Sequence, residues 1–142
     1  MNYVLDTNVL VAAVRSPAGA SAELLRRALL RQVPVLCSVP LFMEYEAVLM
    51  RPEQLAAAGA QPEDVRNTLH VLARVLVPVS IQFLWRPQLR DPNDDMVLEL
   101  AVNGLGQGQP VTLVTFNQRD FLPQAARFGI PVIGPAQYFQ GA

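Results

Sequence analysis

Lysine is absent from this chain of 142 residues, and cysteine, histidine and tryptophan occur once each. A lone Cys37 excludes an internal disulfide framework and a thiolate metal cluster. No apolar run approaches the roughly 20 residues that cross a bilayer, so no membrane span is expected. The opening residues carry no basic stretch of the signal-peptide kind, and a reducing cytoplasm is the expected setting. The formal charge is only −1, from 12 acidic residues against 11 arginines. That balance does not mark a strong nucleic-acid binder, though a few arginines can still contact RNA locally. With 51% hydrophobic and 16% charged residues, the composition excludes disorder and predicts one domain with a substantial core.

What the chain does have is a buried-strand signature at its start, where residues 1–10 read MNYVLDTNVL. Tyr3, Val4 and Leu5 form β-structure readily and do not alternate with polar residues, as in a strand covered on both faces. Asp6-Thr7-Asn8 follows, then the apolar run from Val9 to Ala13. A carboxylate at the carboxyl end of a central strand stands where open α/β sheets bind their ligands. The same three residues are ordinary helix caps, and Asp6 alone fits either role.

Strand and helix patterns then alternate. A short helix is expected over Val9–Val14 and an amphipathic one over Ser21–Arg31, with Leu24, Leu25, Ala28 and Leu29 inward. Val33–Val39 reads as a strand holding Cys37 in the core, and Leu41–Met50 as a helix opened by Pro40. Pro52–Gly59 is a short alanine-rich segment. Pro62–Leu76 has helical spacing, with His70 beside its apolar stripe and given no role. Val77–Phe83 is a third strand and Trp85–Arg90 a loop. Asp91–Asp95 opens a helix over Met96–Asn103, which glycines 104, 106 and 108 end. Pro110–Val114 is the clearest later strand. A short helix over Pro123–Phe128, a last strand over Ile130–Ile133 and a tail complete the chain. This alternation predicts a parallel sheet with helices on both faces. Right-handed crossovers would bring Asp6, the loop before Glu44 and Thr115–Asp120 to one edge.

Glu44 and Glu46 lie about 200° apart on their helix. Leu41 and Val48 flank Glu44, which is therefore the inward one; Glu46 reads as a favourable charge near a helix N-terminus. Asp91, Pro92 and Asp94 fit a helix cap without needing Asp95. Several like charges at one helix start are unfavourable unless a cation compensates. Oxygen ligands from separate segments, with no histidine or cysteine among them, suit Mg²⁺ or Mn²⁺ rather than zinc. Such a site supports phosphodiester hydrolysis by a metal-activated water.

Taken in order, Asp6-Thr7-Asn8, Glu44, Asp-Pro-Asn-Asp-Asp before Leu-Glu-Leu-Ala, and Val-Thr-Phe-Asn-Gln-Arg-Asp-Phe after the fourth strand resemble a PIN domain. More narrowly, the chain resembles the prokaryotic PIN proteins of toxin–antitoxin systems, the VapC-like ribonucleases, from Met1 to about Ile133. The resemblance implies an α/β, three-layer α/β/α fold with a parallel sheet of about five strands. It further implies Mg²⁺- or Mn²⁺-dependent cleavage of single-stranded RNA, a homodimer and a small antitoxin partner. By position, Asp6, Glu44 and Asp94 correspond to the metal-binding acids, with Asp95 the adjacent alternative to Asp94. The fourth position departs from the pattern: where many members carry Thr-x-Asp, this chain carries Thr115-Phe116-Asn117. Either the uncharged Asn117 or Asp120, which also reads as a helix cap, takes that place. Thr7, Asn8 and Thr115 would orient waters or carboxylates.

Two other readings compete. A PIN-like module that binds RNA or protein with little catalysis is favoured by Asn117. A receiver- or phosphatase-like domain also places acids at strand ends, but it needs a lysine, which this chain lacks. An antitoxin would cover an apolar groove, for which Leu41, Phe42 and Tyr45 are candidates, though they equally suit the core.

Overall fold

The computed structural model describes residues 1–82 and 89–140. Strand β1 (Asn2–Leu5) pairs in parallel with β4 (Val111–Val114), from Asn2 opposite Val111 to Leu5 opposite Val114. On its far side β4 pairs in parallel with β5 (Val132–Ile133). A second parallel ladder joins β2 (Leu36–Cys37) to β3 (Val77–Pro78). One bridge, Tyr3 to Val35, with the Tyr3 N–H donating to the Pro34 carbonyl at 3.0 Å, sets β2 beside β1. The order across the sheet is thus β5-β4-β1-β2-β3.

The expected five parallel strands are present, but as a three-stranded and a two-stranded ladder held together by that bridge. Strand β2 is shorter than the expected Val33–Val39 for a local reason. Pro34 has no N–H to donate, and the Ser38 hydroxyl already accepts the Leu41 N–H as the cap of the next helix. Strand β3 runs to Pro78, whose missing donor suits the open side of an edge strand, and the Val79 N–H still donates to the Cys37 carbonyl at 2.8 Å; the expected end at Phe83 lies outside the described residues. All four residues of β4 are buried. Because alternate side chains of a strand point to opposite faces, helices must cover both.

Helix α1 (Thr7–Arg15) begins directly after Asp6, two residues before the expected start, and packs on α2 (Ala20–Leu29) and α3 (Val39–Leu49). Helix α4 (Pro52–Ala58) occupies the alanine-rich segment and ends at Gly59, whose φ of +62° is the left-handed conformation glycine adopts without strain. Helix α5 (Pro62–Val75) follows the predicted periodicity, with Val65, Leu69 and Leu72 inward and His70 on the surface. Helix α6 (Pro92–Leu105) crosses β1, β2 and β4. Two short helices, α7 (Gln118–Phe121) and α8 (Gln124–Arg127), lead to β5.

The expected tail is instead a helix, α9 (Pro135–Gln140). Tyr138 meets Tyr3 edge-on at 5.3 Å between ring centroids, and the Arg27 guanidinium lies 4.8 Å over the Phe139 ring. Burial pushes the Cys37 thiol up to about 12, so it behaves as a small core residue.

Gly104 does not end α6; it lies inside the helix, buried against the sheet. A Cβ there would stand 2.5 Å from Leu36 Cδ1 and 3.3 Å from Val111 Cγ2. Leu36 is itself wholly buried. Gly104→Ala is expected to destabilise the fold by about 1–3 kcal/mol through overpacking, less the ~1 kcal/mol that alanine returns in helix propensity. A urea titration that showed the variant more stable would mean that Leu36 swings away freely.

Candidate active site

Asp6 is the last residue before α1, only 7% exposed. Its Oδ1 accepts the Thr7 N–H at 2.8 Å, and its Oδ2 accepts the Thr115 hydroxyl at 2.7 Å. The capping role and the site role therefore coincide. Thr115 directly follows β4, so this bond ties together the carboxyl ends of the two central strands. Its oxygen also accepts the Asn117 N–H at 3.0 Å and the Asn8 side-chain amide at 3.3 Å. Asn8 in turn accepts the Phe116 N–H at 3.3 Å. These bonds hold the loop after β4 against the first turn of α1.

Glu44 enters from α3, half-buried, and its Oε2 accepts the Thr7 hydroxyl at 3.3 Å. Glu46 is exposed, as their separation around the helix requires. The neighbouring Tyr45 is buried and donates its hydroxyl to the Leu5 carbonyl. That contact pins α3 to the end of β1, one residue before Asp6. From the sequence Tyr45 suits core or groove; its pairing with a backbone carbonyl is visible only in three dimensions.

At the start of α6 the two candidate aspartates separate. Asp95 turns inward, buried, with Oδ1 accepting the Leu89 N–H at 2.9 Å. Asp94 is half-buried, and after burial the charges of Asp6, Asp91, Asp120 and Glu44 push its carboxyl up to about 7. The structure thus brings Asp94, and not Asp95, to Asp6 and Glu44. Asp91 caps the helix by accepting the Asn93 N–H at 2.9 Å. It also raises Asp6, Glu44 and Asp94 by its charge, which makes it a member of the cluster, whereas the sequence alone shows it only as a cap. The spacing of Asp91 and Asp94, three residues apart across one helical turn, was the signal available.

At the fourth position Asn117 is exposed and makes no side-chain capping bond to α7. Asp120, expected to cap a following helix, lies within α7 and raises both Asp6 and Asp94. The charge facing the other acids is that of Asp120.

The electrostatics are one-sided. Asp6 is raised chiefly by burial, against the lowering effect of its bonds from Thr115 and Thr7. Glu44 is likewise raised by burial, then by Asp6 and Asp91, with Arg51 lowering it weakly. Among the described residues Glu23 pairs with Arg26 and Arg27, whereas Asp6, Glu44, Asp94 and Asp120 pair with no arginine. Carboxylates gathered without a paired cation raise one another's pKa and attract an external positive charge.

Among the described residues no three acidic, histidine or cysteine side chains close around a single point. The donor set nonetheless fits a hard cation: its oxygens come from carboxylates, threonines and an asparagine. Mg²⁺ in particular is commonly held by one or two carboxylates, with waters and substrate phosphate completing the octahedron.

Residues 2–119 match the family model described as the PIN domain. Among solved structures, the chain is similar to the crystal structure of VapBC2 from Rickettsia felis bound to a DNA fragment from their promoter. That similarity has a TM-score of 0.62 at 17% sequence identity and covers 94% of this chain and 98% of that one; at this identity it speaks for the fold alone. None of the curated proteins compared with the chain matches it.

Proposed function

The chain belongs to the PIN domain family, and from that premise we propose that it is a metal-dependent endoribonuclease acting on single-stranded RNA, the toxin of a toxin–antitoxin pair. The observation that carries this reading is the convergence of Asp6, Glu44, Asp94 and Asp120 from four separate segments, with no cation paired to them among the described residues. Asp6, Glu44 and Asp94 would hold Mg²⁺ or Mn²⁺, with Asp120 at the edge. When bound, the metal supplies a water of lowered pKa and charge stabilisation for phosphodiester hydrolysis.

The chain's own residues do the positioning. Thr115 fixes Asp6 through Oδ2, Thr7 fixes Glu44 through Oε2, and Tyr45 fixes the distance between their two elements. Cleavage of a mixed single-stranded RNA with Mg²⁺, Mn²⁺ or EDTA tests the reading. Cuts that require the metal support it, and their absence from the folded, partner-free protein overturns it.

Thr115→Val removes the hydroxyl that Asp6 and the Asn117 N–H share while keeping the side-chain shape. The expected result is a loss of about 10–100-fold in metal affinity or activity, the usual cost of losing a ligand's supporting bond. Metal titrations of the variant beside the parent would check it.

The second reading, a catalytically weak binding module, draws on the uncharged Asn117. It predicts RNA or protein binding with no metal-dependent cuts, so the same assay separates the two.

Partners are proposed from the apolar surface and the family. The VapBC2 structure is a complex in its own right, and we extend to this chain a small antitoxin as partner. Leu41 and Tyr45 prove to be core, whereas Phe42 lines an open groove with Val39, Met43, Ala73 and Leu76. Val39 is 74% and Met43 63% exposed, which supports a protein contact there, with the antitoxin or with the second copy of a homodimer. Met43→Glu is expected to convert the dimer to monomer in light scattering, and an unchanged mass would remove this face from the dimer. No helix of the described residues is long and apolar enough to cross a membrane.

A further inference from the structure

Arg90 and Arg119 share one cavity of about 610 Å³ with Asp91, Asp94 and Asp120. Arg90 closes the stretch before α6, and Arg119 lies in α7 beside Asp120, so they approach from different elements. Two guanidinium groups lining a cavity with three carboxylates would ordinarily be consumed as ion pairs. Here neither makes an ion pair or a side-chain hydrogen bond among the described residues. Both are exposed. Arg26 and Arg27, by contrast, are held by Glu23, and Arg15 by Gln54.

The cavity therefore has two functional halves: acids that repel a phosphate unless a cation intervenes, and free guanidinium forks that attract one. Guanidinium matches phosphate oxygens in a bidentate, planar way that an ammonium cannot. We propose that Arg90 and Arg119 form a clamp for the backbone phosphates next to the scissile one, drawing the RNA strand past Asp94 and Asp120. The clamp rests on the ribonuclease reading and deepens it, since it assigns the binding of the strand to residues outside the acidic set. It also accounts for how a chain of net charge −1 engages a polyanion: the attraction is local to the site.

The test is fluorescence anisotropy of a labelled, mixed-sequence single-stranded RNA in EDTA, in the Asp6→Asn background so that the strand stays intact. KCl is varied between about 50 and about 200 mM, a range over which phosphate contacts register strongly. Each phosphate contact on a single strand contributes about 0.7 to the slope of log affinity against log salt. Combining Arg90→Gln with Arg119→Gln is therefore expected to lower that slope by about 1.4 and to weaken binding roughly tenfold at the lower salt. Arg119→Lys should keep the slope and lose part of the affinity, because the charge remains while the fork is gone. Arg66→Gln, on the exposed side of α5, serves as the control and should change neither.

An unchanged slope in the double variant overturns the clamp, as does an equal fall in the control. In the otherwise native protein, the double variant should raise KM more than it lowers kcat, since binding shared by ground and transition states is what is lost. The two proposals fail separately. RNA cleavage with an unchanged slope removes the clamp alone, and a lowered slope in a protein that never cuts removes the nuclease alone.

Discussion

Asp6→Asn is expected to lower metal-dependent RNA cleavage on the order of 10³-fold or more with the fold intact. A bound cation contributes several kcal/mol to the transition state, and each ~1.4 kcal/mol is a factor of ten. The substitution is nearly isosteric. Asparagine keeps an acceptor for the Thr7 N–H, and its amide can donate to the Thr115 hydroxyl in exchange for the 3.3 Å bond that the Asn8 amide now makes there. What disappears is the charge that Asp94, Glu44 and Asp120 face. Because burial and the neighbouring acids already push Asp6 upward, its neutral replacement should not destabilise the metal-free protein. Activity measured beside thermal unfolding in EDTA would check both halves. Full activity in the variant would remove Asp6 from the site, and collapse of the fold would show that its caps, not its charge, dominate.

The second large effect couples pH, metal and stability. In the folded protein Asp94 keeps its proton up to about pH 7, whereas the unfolded chain releases it near the ordinary value of 3.8. The folded state thus binds more protons between these limits, and stability must fall as pH rises through them. The contribution is fully present below the unfolded value and lost as pH passes through about 7. Asp6 and Glu44 are raised as well, and their shifts act in the same direction.

Unfolding of the EDTA-treated protein is therefore expected at a lower temperature at about pH 8 than at about pH 5. A divalent cation should reverse the order, since it replaces the proton as the compensating charge. At a hundred times its Kd, a ligand of the folded state adds about 2.7 kcal/mol, or roughly 5–10 °C for a chain of this size. The rise should be largest near pH 8, smaller near pH 5 and absent in Asp6→Asn. A Tm that did not respond to Mg²⁺ or Mn²⁺ at either pH would leave these carboxylates without a metal.

By itself the sequence determined the class of fold and most of the acidic set. The unbroken apolar run before Asp6 makes a doubly covered strand with few alternatives, and helical spacing after each strand leaves a parallel sheet as the compact solution. The carboxyl ends then share one edge, and Asp6, Glu44 and the Asp91–Asp95 cluster follow from connectivity. Glu44 over Glu46 was also legible, because helical angle and apolar neighbours are local properties.

Tertiary structure decided what depended on contacts between distant segments. Asp94 and Asp95 are adjacent and chemically identical; the Leu89 N–H, in the stretch just before α6, receives Asp95 inward. Asn117 and Asp120 both follow Thr115, and the turn of α7 decides which faces Asp6 and Asp94. The tail became a helix because Tyr3 offers Tyr138 an aromatic edge from the other end of the chain. Gly104 lies inside its helix rather than ending it, where the close approach of Leu36 leaves no room for a Cβ. For the tail and for Gly104 a partner far away in sequence tipped the balance; for the two aspartate choices it was the path the backbone takes into α6 and α7.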